Sequence, residues 1–348
     1  MAKSDIVLVV TSINSPNRVI ADLAAGATNN DWSFIVIGDK KSSDDYSYPG
    51  VDFYSLAAQG ETGLEYAQMC PVGHYARKNI GYLLASRNGA KIIVETDDDN
   101  IPRESFWSPR SRFVTSPYQA GTGWVNVYRY FSDALVWPRG LPLDAVHGAI
   151  MPYADMPTAT LDCPIQQGLA DKNPDVDAIY RLLLPLPVSF STEQHVALSE
   201  GAWCPFNSQN TTWWSSAFPL MYLPAYCSFR MTDIWRSFVA QRIAWECGWS
   251  VYFHPATVWQ ERNEHNLMRD FADEIPGYVS NAMIKTRLTE LPLRRGIEAI
   301  GENLFVCYRM LVAEKLVGAD ELPLLEAWLR DLGFMDPLKL LISPADVK

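Results

Sequence analysis

The strongest chemical signal is the acidic segment 95–99, which reads ETDDD. It follows Lys91–Val94, an apolar run that predicts a buried strand. Three neighbouring aspartates repel one another, and a divalent cation would relieve that repulsion. If the extended backbone continues, Asp97 and Asp99 point the same way and form a hard-oxygen site for Mn²⁺ or Mg²⁺, while Asp98 points elsewhere. The alternative is a solvated acidic turn whose side chains cap the next segment.

Two further groups have the types and positions needed to bind a nucleotide. Arg77 and Lys78 fall in the first turn of a helix predicted over Tyr75–Ser86, where the helix dipole disfavours cations and a bound diphosphate would relieve the conflict. Asp39 ends a predicted strand, where an acidic side chain can meet a ribose or base. A helix that begins earlier, or an Asp39 that only makes a turn, would be a structural alternative. The residues assigned to nucleotide binding are Asp39, Arg77, Lys78, Asp97 and Asp98.

Other candidates are weaker because each has an ordinary structural explanation. Asp233 could be a general base that activates an acceptor hydroxyl, although the first turn of a helix favours any carboxylate. His265, and less so His254, could supply a third metal ligand, although a lone histidine is more often structural. Trp213 and Trp214 offer flat faces for sugar stacking, but aromatic residues make up 12% of the chain and most of them must be packing.

Repeated strand and helix signals precede the acidic segment and predict the sheet that positions it. Apolar runs at Ile6–Val10, Phe34–Ile37 and Val51–Tyr54 alternate with helical patterns at Arg18–Ala25 and Tyr75–Ser86. Such βα units predict an open, right-handed α/β sheet, and ligands bind beyond the carboxyl ends of its strands.

The rest of the chain is less regular. Residues 102–214, rich in proline, glycine and aromatics, are expected to form loops and short strands over the binding edge. Thr232 is predicted to cap a helix that stops at Gly248, and a strand at 251–253 follows. From about Ala282 the pattern is helical, so we predict an α/β domain over 1–265 and a helical extension over 266–348.

Composition excludes several classes of protein. The 348 residues are 48% hydrophobic and 20% charged, which is ordinary for a globular chain. A formal charge of -11 without a basic block argues against a nucleic-acid partner. The six cysteines form no CxxC pair, and neither a membrane-spanning stretch nor a secretion signal is found. We therefore expect a soluble, cytoplasmic protein with reduced thiols.

Several phrases of the sequence resemble the STELLO family, the DUF288 proteins, which are regarded as probable glycosyltransferases of GT-A-like fold. They are collinear over roughly residues 5–260. The phrases are Gly38–Lys41, Arg77–Tyr82, the segment 95–99, Val136–Pro142, Gln166–Asp171 with Pro174–Asp177, Leu220–Pro224 and Asp233–Arg236. The resemblance implies a GT-A-like open mixed sheet that binds a nucleotide sugar, with the acidic segment in the place of that fold's DxD metal motif.

The resemblance also directs attention to two phrases in the middle of the chain. Arg139, between Pro138 and Gly140, would sit on a stiff turn and could neutralise phosphate charge as the leaving group departs, or it could only buttress a loop. Gln166, Gln167 and Asp171 could hydrogen-bond sugar hydroxyls, or could bond within their own loop. Plant members are Golgi membrane proteins linked to cellulose synthase assembly; this chain lacks their membrane segment, so a free-standing enzyme, as in bacteria, is expected.

The combined prediction is a metal-dependent glycosyltransferase that moves a sugar from a nucleotide-diphosphate donor, most simply a UDP-sugar, to a glycan or other hydroxyl acceptor. In it, Asp97 and Asp99 hold Mn²⁺ or Mg²⁺ and Asp233 and Arg139 are catalytic. One alternative is a nucleotide-sugar mutase or nucleotidyltransferase, although the loop after the first strand lacks the glycine-rich, basic phosphate loop usual in nucleotidyltransferases. The other is a non-catalytic scaffold associated with a polysaccharide-synthesis complex.

Overall fold

A computed structural model describes residues 4–43, 45–261 and 266–334. The strands are β1 Ile6–Thr11, β2 Ser33–Ile37, β3 Asp52–Tyr54, β4 Ile92–Thr96, β5 Asn100–Pro102, β6 Phe113–Gln119, β7 Gly123–Trp124, β8 Thr158–Asp162, β9 Ile165–Asp171, β10 Val196–Leu198, β11 Ala202–Trp203, β12 Asn210–Trp214 and β13 Val251–Gln260. The α-helices are α1 Arg18–Asn29, α2 Leu56–Gly60, α3 Glu65–Met69, α4 Lys78–Arg87, α5 Ala178–Leu183, α6 Thr232–Glu246, α7 Leu267–Glu290, α8 Ile300–Ala313 and α9 Glu321–Asp331.

One large mixed sheet organises these elements. Its strands lie in the order β3-β2-β1-β4-β12-β9-β13-β10-β6-β8, with β5 paired to β13. The first four are mutually parallel, whereas β12 runs antiparallel to both β4 and β9. This topology confirms the predicted α/β class with an open mixed sheet, consistent with a GT-A-like fold.

Helices cover both faces of the parallel part of the sheet. Along β1, Val7 and Val9 join the apolar cluster under α4, while Leu8 and Val10 join the cluster under α1. A strand buried on both faces must be apolar throughout, which is why β1 is a continuous aliphatic run. Its carboxyl end is thereby fixed between two helical layers.

Some boundaries differ from those expected. β4 continues to Thr96, so Glu95 belongs to the strand. Residues Tyr75–Arg77 form a 3₁₀ turn, and α4 begins only at Lys78. Thr232 is the first residue of α6 and not its cap, because its own backbone is already helical and Met231 occupies the cap position.

The helical part of the chain begins earlier than the sequence pattern indicated. α7 starts at Leu267, where the Asn266 side chain accepts hydrogen bonds from Met268 N and Arg269 N. Pro276 lies inside this helix. Because proline disfavours a helix interior, the sequence pattern indicates a helix only after this residue. The helices α7, α8 and α9 contribute Ile284, Leu304 and Trp328 to the same apolar cluster that underlies α4. The boundary at 265/266 stays a prediction, and His265 lies outside the described residues.

The middle segment is more regular than expected. Residues 102–214 supply β6, β8, β9, β10 and β12 to the main sheet itself, whereas the sequence pattern predicts loops and short strands over its binding edge. β9 is buried along its whole length between β12 and β13. Within the described ranges, the helices are too short or too polar to cross a bilayer.

Candidate active site

A cleft of about 530 Å³ opens where the parallel strands end. The segments that follow β1, β2 and β4 contribute Ser12, Asp39 and Asp97 to its lining. Because adjacent parallel strands finish at one edge, residues far apart in sequence meet there. Arg139 and Asp233 line the same cleft.

The three aspartates occupy a turn, and each has its own partners. Because β4 stops at Thr96, the alternation expected of an extended strand does not govern them. Asp98 Oδ2 accepts hydrogen bonds from Ser12 Oγ at 2.6 Å and Asn14 Nδ2 at 3.1 Å. Asp99 Oδ2 accepts one from Gln260 Nε2 at 2.9 Å. The turn is therefore tied to the loop after β1 and to the end of β13.

Lys78 neutralises Asp97. Its side chain is fully buried, and Nζ lies 2.9 Å from Asp97 Oδ1, 2.9 Å from the Tyr75 hydroxyl and 2.7 Å from Thr96 O. The cation at the start of α4 thus already has an anion of the protein beside it, and the structure does not direct it into the cleft. Burial raises the pKa of Asp97, and the Lys78 ammonium opposes that shift.

Glu95 is separate from the rest of the acidic segment. It points into the core, where it pairs with Arg236 at 2.9 Å and accepts a hydrogen bond from Trp213 Nε1 at 2.8 Å. Both charged side chains are essentially inaccessible to solvent. Glu95 therefore anchors β4 to α6. Of the acidic segment, only the three aspartates line the cleft.

The three aspartates offer oxygen ligands that suit a divalent cation whose remaining coordination positions are filled by other ligands. Within residues 4–43, 45–261 and 266–334, no three His, Cys, Asp or Glu side chains group closely enough to hold a metal by themselves. Mg²⁺ and Mn²⁺ favour hard oxygen ligands, and Mg²⁺ is commonly held by one or two carboxylates together with water and phosphate oxygens. Three aspartates with one lysine leave a formal local charge of -2, which matches such an ion. His254 lies on β13, where its ring packs against Gly168 outside the cleft lining.

Asp39 and Arg77 both line the cleft, but both have partners. Asp39 accepts hydrogen bonds from the backbone N–H groups of Gly73 at 2.8 Å and His74 at 2.9 Å. Arg77 is buried and donates to Gln59 Oε1 at 2.8 Å and to the carbonyl of Cys70 at 2.9 Å. Both residues hold the loop before α4, so their clearest role in the structure is to shape the cleft wall.

Another part of the cleft lining consists of an arginine flanked by two carboxylates. Arg139 contacts Asp175 through two hydrogen bonds of 2.8 Å, and its Nη2 lies 3.0 and 2.9 Å from the two oxygens of Asp233. Gly140 makes this turn possible: its φ is +91°, and an added Cβ would lie 2.4 Å from Ile234 Cγ2. Burial raises the pKa of Asp175, but Arg139 and the neighbouring arginines outweigh it and bring the pKa down to about 2.

The predicted sugar-binding residues lie elsewhere. Gln166 and Gln167 are buried in β9, where their side-chain amides donate to main-chain carbonyls such as those of Cys163 and Gly168. Asp171 pairs with Arg103 at the end of the same strand. They are absent from the lining of the described cleft, since the two glutamines lie within the enclosed strand and Asp171 is held by Arg103.

The two tryptophans also lie away from the cleft. Trp213 is fully buried, and Trp214 is half-buried beside Ile92 at the opposite end of the sheet. β12 runs antiparallel to β4, so these residues sit at the start of β4 rather than at its acidic end.

Sequence reasoning missed several residues of the cleft. Asp175 was visible only as part of Pro174–Asp177, and its pairing with Arg139 could not be foreseen. Ser12 and Asn14 lie in the loop after β1, the place where an α/β sheet binds ligands, so their position was the available signal. Phe229 carries no motif and becomes visible only by its exposure in the cleft.

An open mixed sheet with an acidic turn at its parallel strand ends defines a protein of GT-A-like architecture. A family model described as STELLO glycosyltransferases matches residues 230–340. Two proteins of Arabidopsis thaliana are similar: the probable glycosyltransferase STELLO2 is 32% identical over 266 residues, and the probable glycosyltransferase STELLO1 is 30% identical over 332 residues. These alignments cover 70% and 88% of this chain.

The chain belongs to the STELLO family. It spans only 34% of the length of STELLO2 and 42% of that of STELLO1.

Proposed function

We propose that this chain is a divalent-metal-dependent glycosyltransferase that moves a sugar from a nucleotide-diphosphate donor, most simply a UDP-sugar, to a hydroxyl acceptor. The observation that carries the proposal is the convergence of Asp39, Asp97–Asp99 and the Arg139–Asp233 pair on one cleft at the ends of β1, β2 and β4. Nucleotide-sugar chemistry needs those groups together. The carboxylate, guanidinium and hydroxyl side chains of the cleft give a polyol acceptor or a diphosphate the few oriented polar partners that a ligand pocket needs.

Asp99 and Asp97 are the proposed metal ligands. The metal, when bound, supplies Lewis-acid stabilisation of the departing nucleoside diphosphate. Lys78 holds the Asp97 carboxylate in place. The hydrogen bonds from Ser12 and Asn14 to Asp98 fix the acidic turn against the loop after β1. In this assignment Lys78 acts on the donor through Asp97 and not by direct contact with phosphate.

Arg139 and Asp233 are the proposed catalytic pair. Arg139 would place positive charge near the reacting centre. Asp233 would accept the proton of the acceptor hydroxyl if the reaction inverts the anomeric centre, and its two oxygens, now bonded to Arg139, would then have to be shared with that hydroxyl.

The first test is metal-dependent nucleotide binding in an Asp99→Ala variant. Calorimetric titration of the wild-type protein with UDP should give binding only when Mn²⁺ is present. Removing a carboxylate ligand should weaken this binding by about tenfold or more. The matched control is Asp144→Ala, because Asp144 is an exposed aspartate outside the cleft lining.

Unchanged UDP affinity in Asp99→Ala would refute the metal assignment, and a wild-type protein that binds no UDP with Mn²⁺ would favour a scaffold. Incubation of UDP-sugars and Mn²⁺ with a hydroxyl acceptor, and in parallel of UTP and Mn²⁺ with a sugar phosphate, then distinguishes the remaining reactions by product. Free UDP with a glycosylated acceptor indicates transfer, an isomerised donor indicates a mutase, and pyrophosphate released in the parallel incubation indicates a nucleotidyltransferase.

A further inference from the structure

One aromatic side chain of the cleft lining, Phe229, is 53% exposed to solvent. The acidic turn and the Arg139–Asp233 pair line the same cleft. The Phe229 ring packs edgewise with His74 and Tyr75, at centroid distances of 6.0 and 6.2 Å. About half of a large apolar side chain is thus available for contact with a ligand in the cleft.

The backbone around Phe229 is held by three contacts. The carbonyl of Arg230 accepts a hydrogen bond from Arg139 Nη1. The Arg230 guanidinium pairs with Glu274 of α7 at 2.9 Å, and Ser228 Oγ donates to Asp273 O. The ring is therefore presented from a fixed support immediately before α6, which limits the entropy lost when a ligand packs on it.

Charges next to Phe229 are matched within the protein. Arg139 lies between Asp175 and Asp233, and Arg230 pairs with the buried Glu274. These guanidinium groups and carboxylates bond mainly to one another, so little local excess charge faces the ring. A ligand with many neutral hydroxyls and an apolar C–H face fits that combination better than an ionic one does.

We propose that Phe229, with the Arg139–Asp175–Asp233 network, forms a subsite for a neutral pyranose acceptor whose C–H face packs on the phenyl ring. The inference rests on the proposed function, because it places the acceptor in the same cleft. It replaces Trp213 and Trp214 as the sugar-stacking residues. The nucleobase of the donor is the competing occupant of the ring, and the experiment separates the two.

The test measures sugar binding and nucleotide binding separately. Saturation-transfer NMR titrations would use methyl β-D-glucopyranoside, methyl β-D-galactopyranoside, methyl α-D-mannopyranoside and cellobiose, with glucuronate as an acidic comparison. UDP with Mn²⁺ would be titrated in parallel. The variants are Phe229→Ala, Phe229→Trp and the control Phe113→Ala, since Phe113 is similarly exposed, at 59%, on β6 outside the cleft lining.

At least one neutral glycoside should bind more tightly than glucuronate. Phe229→Ala should weaken it by about tenfold, Phe229→Trp should retain it, and Phe113→Ala should leave it unchanged. UDP affinity should stay within about twofold in Phe229→Ala, a change too small to reflect lost stacking.

Loss of UDP affinity in Phe229→Ala would assign the ring to the nucleobase and overturn the inference, as would the absence of any glycoside binding. If glycosides bind in a Phe229-dependent way but UDP does not bind the wild-type protein, the subsite stands and the transferase proposal fails.

Discussion

At the scale of single residues, the candidate site is built from charges that are already paired. Lys78 offsets Asp97, and Arg139 connects Asp175 to Asp233. An ion buried without a partner is costly, so such pairs are needed to keep several carboxylates in one cleft. Pairing with Asp97 also explains why Lys78 is not part of the cleft lining, whereas Arg77 and Arg139 are.

Arg139→Gln should be strongly destabilising, because it leaves two carboxylates in a largely buried position without their guanidinium. Breaking a buried pair costs about 3–5 kcal/mol, and urea denaturation at pH 7 measures this loss. The control is Arg295→Gln, because the Arg295 side chain is 92% exposed and should contribute little. Equal stability of the two variants would mean that the Arg139 network does not hold this part of the cleft together.

At the scale of elements, the position of α4 against the sheet brings Lys78 to Asp97. Gly81 allows this approach: an added Cβ would lie 2.5 Å from Val9 Cγ1 of β1 and 3.0 Å from Ile37 Cγ1 of β2. Both neighbours are β-branched side chains in buried strands, so they have little room to move. The glycine is therefore a packing requirement of the helix that supports the site.

Gly81→Ala should lower the free energy of unfolding by about 1–3 kcal/mol through overpacking. The sign of this change in the free energy of unfolding is informative, because replacing glycine by alanine in an unconstrained helix raises that free energy by about 1 kcal/mol. Gly60→Ala is the comparison, since no atom lies within 4 Å of the added Cβ there. Thermal or urea unfolding of both variants gives the result; a Gly81→Ala protein at least as stable as wild type would show that α4 can shift freely.

At the scale of the whole molecule, the C-terminal helices are packed into the body of the fold. Glu321, at the start of α9, is fully buried and accepts hydrogen bonds from Ala225 N at 3.0 Å and Tyr226 N at 2.7 Å. α9 also packs against α3. One buried carboxyl thus fastens the last described helix to the segment that leads into α6.

Burial raises the pKa of Glu321 from 4.5 to about 7, which makes the stability of the chain depend on pH. Below pH 4.5 the carboxyl is protonated in both folded and unfolded states. As pH rises from 4.5 to 7 the unfolded chain loses this proton first, so the free energy of unfolding falls, by roughly 3 kcal/mol at most, and then levels off.

Glu321→Gln should reduce this slope in denaturation curves recorded from pH 4.5 to 8. Part of the slope remains, because burial also raises the pKa of Asp177 to about 6. Glu290→Gln, at a side chain 61% exposed, should leave the whole slope unchanged. An undiminished slope in Glu321→Gln would mean that Glu321 does not contribute to it.

The sequence determined the local parts of this protein. Continuous aliphatic runs predicted β1, β2 and β4, because strands buried on both faces have no polar positions. Since the carboxyl ends of parallel strands meet at one edge of the sheet, the sequence also placed Asp39 and the acidic turn at that edge. Only the tertiary structure decided which charges pair, since Lys78 with Asp97 and Arg139 with Asp175 depend on how distant elements pack. The same holds for β9: its glutamines were predicted to bind sugar hydroxyls, but the neighbouring strands β12 and β13 enclose them. Side-chain environment is a property of contacts across the fold, and residue type and spacing do not encode those contacts locally.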